Sequence, residues 1–148
     1  MRRFLVLGVL VLSASAASGD PAADSCPPLP EESDLEWELV VGVDFNVCLA
    51  HLGDRNETVL GIYLGNHPTL HSGHSPVDAT SRVAGVLAQW HTMSVENSEA
   101  IGLQAIVELP GGSPGMQFVH VWVTGSSGPS LDERLALVAT LDFSGPEL

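Results

Sequence analysis

The alternation of apolar residues with other residues is clearest over 116–124, where three valines occupy every second position. Alternation of this kind predicts a β-strand with one buried face. Two further strand-like runs, 46–52 and 58–65, flank the segment 53–57, whose Gly, Asp and Asn residues tolerate the backbone of a turn. These two runs therefore predict a β-hairpin.

Two more runs, 82–92 and 100–109, have the composition of strands. A helix over 82–92 is disfavoured by Val83, Gly85 and Val86, because β-branched residues and glycine weaken helices. We interpret both runs as strands. Together with the three strands above, they bring the predicted antiparallel sheet to about five strands.

The periodicity changes after the last predicted strand. Ser130 and Glu133 have the spacing of a capping box, which marks the start of a helix. Residues at helical spacing then form one apolar side: Leu131, Leu135, Leu137, Val138 and either Leu141 or Asp142. Gly145-Pro146 ends the pattern. Because so short an amphipathic helix gains its stability from packing, we expect a helix over about 130–142 to lie on the sheet, which makes the fold class α+β.

The N-terminus has the pattern of a secretory signal peptide, predicted over 1–18. Arg2 and Arg3 precede an apolar run over 4–12, and Ala14-Ser15-Ala16 supplies a small-residue cleavage motif. The apolar run is shorter than the roughly 20 residues that cross a bilayer, so we expect cleavage rather than membrane anchoring. The predicted destination is the periplasm or the extracellular space.

The segment 19–43 is rich in proline and carboxylates, which predicts an extended acidic arm without a core of its own. The remaining segment, 44–148, has the length of a single α+β domain. A Pro-rich lead, several antiparallel strands and a final helix ending in Ala139-Thr140-Leu141-Asp142-Phe143 together resemble the Mog1/PsbP/DcrB-like fold group. That resemblance implies an architecture and no particular activity.

The charge of the chain limits its partners. Five Lys and Arg residues stand against 18 Asp and Glu residues, for a formal net charge of −13, and all five cations are arginines. Loss of Arg2 and Arg3 with the signal peptide makes the charge more negative still. Such a field repels nucleic acid and anionic lipid, so we expect neither as a partner. A cationic protein partner fits the charge, although surplus acid also simply keeps exported proteins soluble.

The two cysteines, Cys26 and Cys48, lie after the predicted signal peptide. In an exported protein this pair predicts one disulfide bond, and the absence of a C-x-x-C spacing argues against a redox-active pair. Two separate thiols are the alternative.

The long connection between the second and third predicted strand runs carries the densest candidate chemistry. It places His67, His71 and His74 within eight residues, with Asp78 nearby. Neutral imidazoles ligate zinc or copper, so this segment is a candidate metal site, with a solvated polar loop as the alternative. Pro68 and Gly73 disfavour the helix that a zincin motif requires.

A second candidate is a binding face of rings on the predicted strands, comprising Tyr63, Trp90, His91, His120 and Trp122. A small hydrolase is a further alternative, yet Gly125-Ser126-Ser127-Gly128 lacks the spacing of a nucleophile elbow. The sequence therefore favours a non-enzymatic exported binding or accessory protein. Metal binding and hydrolysis stay as alternative hypotheses.

Overall fold

The computed structural model describes residues 26–53, 57–96 and 98–144. The predicted signal peptide over 1–18 lies outside this part of the chain, as do residues 54–56 of the predicted turn and Gly145-Pro146. The described elements are a 3-10 turn at Glu31–Ser33, strands β1 Leu35–Val41, β2 Phe45–Leu52, β3 Glu57–Gly65, β4 Arg82–Val83, β5 Val86–Leu87, β6 His91–Met93, β7 Ile101–Glu108 and β8 Phe118–Gly125, and helix α1 Gly128–Thr140.

Within these residues the main sheet has six antiparallel strands in the order β1-β2-β3-β8-β7-β6. Strands β4 and β5 form a separate two-stranded hairpin. The α+β class with one C-terminal helix is confirmed, and so is the hairpin predicted from 46–52 and 58–65. The sheet has one strand more than the five predicted.

The additional strand is β1, which lies in the segment predicted to be an arm. Leu35, Trp37 and Leu39 alternate there with Glu36 and Glu38. The three apolar side chains pack against the core, and the two carboxylates are exposed. A strand at the edge of a sheet needs only one buried face, so alternate carboxylates do not prevent it from pairing with β2.

The single strand predicted over 82–92 is wrong, because the chain reverses direction in its middle. Ala84 and Gly85 both have positive φ angles, 51° and 76°. Two such residues form the tight turn that joins β4 to β5. Only the last part of the predicted run joins the main sheet, as β6 beside β7.

Helix α1 begins earlier than predicted. The N-cap is Ser127, and Ser130 occupies the N3 position of a capping box in which each side chain bonds to the backbone N–H of the other residue. Pro129 fits in the first turn, where its missing N–H leaves no helical bond unmade. The predicted apolar side of the helix is confirmed: Leu131, Leu135 and Val138 are buried, as is Leu141 just after the helix.

Helix α1 packs against β8, β7 and β4 and so covers one face of the sheet, here called the helix face. A Cβ atom at Gly125 would meet Leu131, which places the helix on the same side as the alternate valines of β8. The buried side chains of this face form the core: Cys48, Ala50, Leu60, Ile62, Leu64, Ala105, Val107, Val119, Val121 and Val123.

A disulfide bond joins Cys26 to Cys48, as predicted. Both cysteines are buried, and the bond attaches the segment before β1 to the middle of β2. No helix in the described part of the chain has both the length and the apolar composition needed to cross a lipid bilayer.

Candidate functional site

The side of the sheet opposite the helix face carries most of the predicted rings and is here called the ring face. The strand register aligns His91 on β6, Gln104 on β7 and Trp122 on β8 in one row across the sheet. Tyr63 and His120 lie directly opposite each other in the adjoining row. Side chains at directly opposed positions of neighbouring strands lie on the same face, so these five share the ring face.

Trp90 does not belong to that group, so the predicted ring set is wrong at this position. Its side chain is fully buried, and its indole N–H donates to the carbonyl oxygen of Ser81 at 3.2 Å. The hydroxyl of Ser81 donates in turn to the carbonyl of Leu135 in α1. Because successive residues of a strand face opposite sides, Trp90 lies on the helix face when His91 lies on the ring face.

The connection between β3 and β4 passes over the ring face, and Gln104 anchors it there. The amide nitrogen of Gln104 donates to the carbonyl oxygens of His71 at 2.9 Å and of Thr92 at 3.1 Å. Its amide oxygen accepts from the backbone N–H of His71 at 2.7 Å. The same oxygen is 3.1 Å from Nε2 of His120. All the donors and acceptors of this fully buried side chain are thereby used.

These contacts determine the protonation of His120. Because the Gln104 oxygen is an acceptor, the neutral imidazole carries its proton on Nε2 and has a lone pair on Nδ1. Burial of the ring, together with a smaller effect of the nearby His71 imidazole, lowers the pKa of His120 from 6.5 to about 4. The ring is therefore neutral at pH 7.

Three rings contact one another above this anchor. The ring centroids of His71 and His120 are 5.0 Å apart, and those of His71 and Trp122 are 5.2 Å apart in an edge-to-face arrangement. The Trp122 indole lies over Gly61, where a Cβ atom would overlap it. Beside this cluster on the same face, Tyr63 stacks on Phe45 with a centroid separation of 5.5 Å.

The predicted metal ligands are not brought together. His71 is used in the ring contacts, and His67, His74 and Asp78 are exposed. Among residues 26–53, 57–96 and 98–144, no group of three or more His, Cys, Asp or Glu side chains could hold a metal ion. Contacts across the fold, and not spacing along the loop, determine where each of these imidazoles lies.

A second polar array, which the sequence did not reveal, lies where β1, β2 and β3 meet. Nε2 of His51 is 2.8 Å from the Glu38 carboxylate, and Nδ1 of the same ring is 3.1 Å from the Thr58 hydroxyl. The order carboxylate, imidazole, hydroxyl is that of a catalytic triad. However, the recesses lined by 41–46 with 113–116, and by 84–85 with 109–110 and 141–144, do not include these residues. The array therefore holds the Glu38 carboxylate beside the His51 imidazole.

Strand β1 lies at one edge of the main sheet, so one side of its backbone has no neighbouring strand within the described residues. At one end of the β1–β2 pair, the N–H of Gly42 donates to the carbonyl of Phe45 at 2.8 Å. At the other end, the N–H of Gly53 donates to the carbonyl of Asp34 at 3.2 Å. Since hydrogen-bonded pairs alternate along an antiparallel ladder, even-numbered residues of β1 bond to β2. The N–H and C=O groups of Leu35, Trp37, Leu39 and Val41 therefore point away from the sheet.

Comparison of the chain with models of known protein families, with curated proteins and with solved structures gave no match.

Proposed function

We propose that this chain is an exported, non-enzymatic binding protein that takes up an extended segment of a cationic protein along the open edge of β1. The observation that carries this proposal is an edge strand whose outward backbone groups are free of partners within the described residues and whose exposed side chains include the carboxylates of Glu36 and Glu38, followed by Val40 and Val41. A strand edge of this kind is a template for β-strand addition.

The charge around the edge favours a basic partner. Residues 26–53 contain six carboxylates and no Lys or Arg. The two arginines in the described part of the chain lie elsewhere and donate to backbone carbonyls, Arg82 to Gly85 and Arg134 to Ser130. The carboxylates beside β1 are thus available to steer a cationic chain toward the edge.

The same charges oppose pairing of the edge with a second copy of the chain. An antiparallel pair centred on Trp37 would place Glu36 of one copy opposite Glu38 of the other. Like charges directly opposite each other destabilise a strand pair. Charged side chains on an edge are a common protection against self-association, and they leave the edge open to a strand of opposite charge.

Export is supported by two independent features. The first is the leader pattern over 1–18, with its basic, apolar and small-residue sections. The second is the disulfide between Cys26 and Cys48, a bond that persists in oxidising compartments and is rare in the cytosol. Expression of the full chain, followed by N-terminal sequencing of the protein in the culture medium or periplasm, tests this part. An uncleaved chain recovered only from the cytosol would refute it.

Hydrogen exchange on the oxidised protein, with and without poly-L-lysine, tests the edge. We expect the outward amides of Leu35, Trp37 and Leu39 to exchange quickly in the free protein and to become protected on binding. The amides of Glu36 and Glu38, already bonded to β2, should be protected in both states. Protection that appears elsewhere, with no change along β1, would contradict the proposal.

Substitution separates edge binding from general attraction to an acidic surface. The double variant Glu36→Gln/Glu38→Gln should bind poly-L-lysine more weakly than the matched control Asp132→Asn/Glu133→Gln, which removes the same charge from the exposed side of α1. Val41→Pro removes one outward N–H without removing a bond to β2, and should weaken binding about 2- to 10-fold. Equal losses in the two charge variants would show that only net charge matters.

A further inference from the structure

We infer that the segment bound by β1 has lysine or arginine at every second position and apolar residues between them. This inference rests on the proposed function and specifies its ligand. The two faces of β1 differ in chemistry: Glu36, Glu38 and Val40 lie on the ring face, and Leu35, Trp37 and Leu39 lie on the helix face. An added strand continues both faces, so it meets carboxylates on one side and apolar side chains on the other.

The basic positions follow from the ladder. Outward bonds come from the odd-numbered residues of β1, so Glu36 and Glu38 occupy the non-hydrogen-bonded positions toward an added strand. Opposed side chains approach more closely at these positions than at hydrogen-bonded ones. A lysine or arginine opposite each carboxylate therefore forms a direct cross-strand ion pair.

The Glu38 carboxylate is oriented by His51 and remains exposed for such an ion pair. Its side chain is 59% exposed, while the His51 imidazole that contacts its Oε2 atom is 16% exposed. One side of the carboxylate is thus fixed by His51, and the other is open to a ligand. The hydrogen bond from His51 keeps the carboxylate on the ring face, where the basic side chain of an added strand would lie.

The apolar positions follow from the opposite face. The Trp37 indole N–H donates to the carbonyl oxygen of Pro27 at 2.7 Å, which fixes the ring beneath the edge. Leu29 and Leu39 pack against the same core. Apolar side chains of an added strand would extend this surface, whereas charged ones would lose hydration beside it.

Two peptides of identical composition test the pattern: Val-Lys-Val-Lys-Val-Lys-Val and Val-Val-Lys-Lys-Lys-Val-Val. Affinity for the oxidised protein is measured by titration calorimetry at 150 mM salt. Two cross-strand ion pairs predict that the alternating peptide binds about 2- to 30-fold more tightly. Equal affinities that both fall in Glu36→Gln/Glu38→Gln would overturn the inference while leaving the proposed edge site intact. Absence of binding by either peptide would count against both.

Charge reversal provides the second test. Glu36→Lys/Glu38→Lys should reverse the preference and select the alternating peptide Val-Glu-Val-Glu-Val-Glu-Val over its clustered isomer. The control Asp132→Lys/Glu133→Lys changes the net charge equally and should still prefer the alternating lysine peptide. A reversal in both variants would assign the effect to overall charge and refute the pattern.

Discussion

The buried imidazole of His120 makes the stability of this fold depend on pH in a defined window. Its pKa is lowered from 6.5 to about 4 in the folded protein, chiefly by burial. Above pH 6.5 the ring is neutral in both the folded and the unfolded chain, so it contributes no pH dependence. Between pH 6.5 and 4 the unfolded chain binds a proton that the folded chain excludes. The free energy of unfolding therefore falls as the pH falls through this range.

The magnitude follows from the shift. One pKa unit corresponds to about 1.4 kcal/mol, so the shift from 6.5 to about 4 predicts a loss of about 3 kcal/mol, complete near pH 4. His120→Gln removes this proton equilibrium and retains an amide N–H that can donate to Gln104. Between pH 6.5 and pH 4, the unfolding free energy of this variant should therefore fall by about 3 kcal/mol less than that of the wild type.

Urea unfolding followed by circular dichroism at several pH values from 7.5 to 4 measures the difference. Carboxylates titrate in both proteins, so the difference between the two curves isolates His120. His67→Gln, which changes an exposed imidazole, is the matched control and should retain the wild-type pH dependence. Parallel curves for wild type and His120→Gln would refute the account of a neutral buried ring.

Two further predictions concern packing and covalent closure. Gly61→Ala should destabilise the fold by about 1–3 kcal/mol, because the new methyl group overlaps the indole that lies on this glycine. Urea unfolding measures the loss, and Gly128→Ala, where a Cβ atom has open space, should cost less. Replacing both Cys26 and Cys48 by alanine should lower the unfolding free energy by about 3 kcal/mol, as expected for a loop closed over 22 residues. An unchanged urea midpoint would contradict this prediction, because it would show that loss of the bond does not increase the conformational entropy of the unfolded chain.

The elements with strong local signals were predictable from the sequence. The hairpin of β2 and β3, the alternating strand β8 and the buried side of α1 each follow from a periodic pattern within one segment. The disulfide followed from two cysteines behind a leader pattern. Chain reversal at Ala84 and Gly85 was harder to predict, because one glycine between valines also fits a continuous strand.

The ring face could be predicted only in part. His120 and Trp122 share a face because they are two residues apart on one strand, which is a local property. The contact of His71 with His120 joins segments 49 positions apart along the chain, so no spacing rule reveals it. Gln104 was missed because a single polar residue in an apolar strand suggests nothing about its partners. The anchoring role of Gln104 depends on His71, which lies in the connection between β3 and β4 and is distant along the chain.

Strand β1 shows how composition can obscure a pattern. Prolines and glutamates before it predict an extended arm, and they outweigh the period-two alternation of Leu35, Trp37 and Leu39. An edge strand tolerates this composition, because the fold buries only one of its faces and hydrogen-bonds only one of its two backbone edges.

The covalent link between Cys26 and Cys48 also supports the open edge of β1. The carbonyl oxygen of Pro27, the residue after Cys26, accepts a hydrogen bond from the indole N–H of Trp37. The segment that contacts the Trp37 side chain is therefore connected to β2 through the disulfide bond. A newly synthesised chain in a reducing compartment lacks this disulfide bond. Under the proposed function, formation of this bond therefore stabilises the edge that would take up a basic segment.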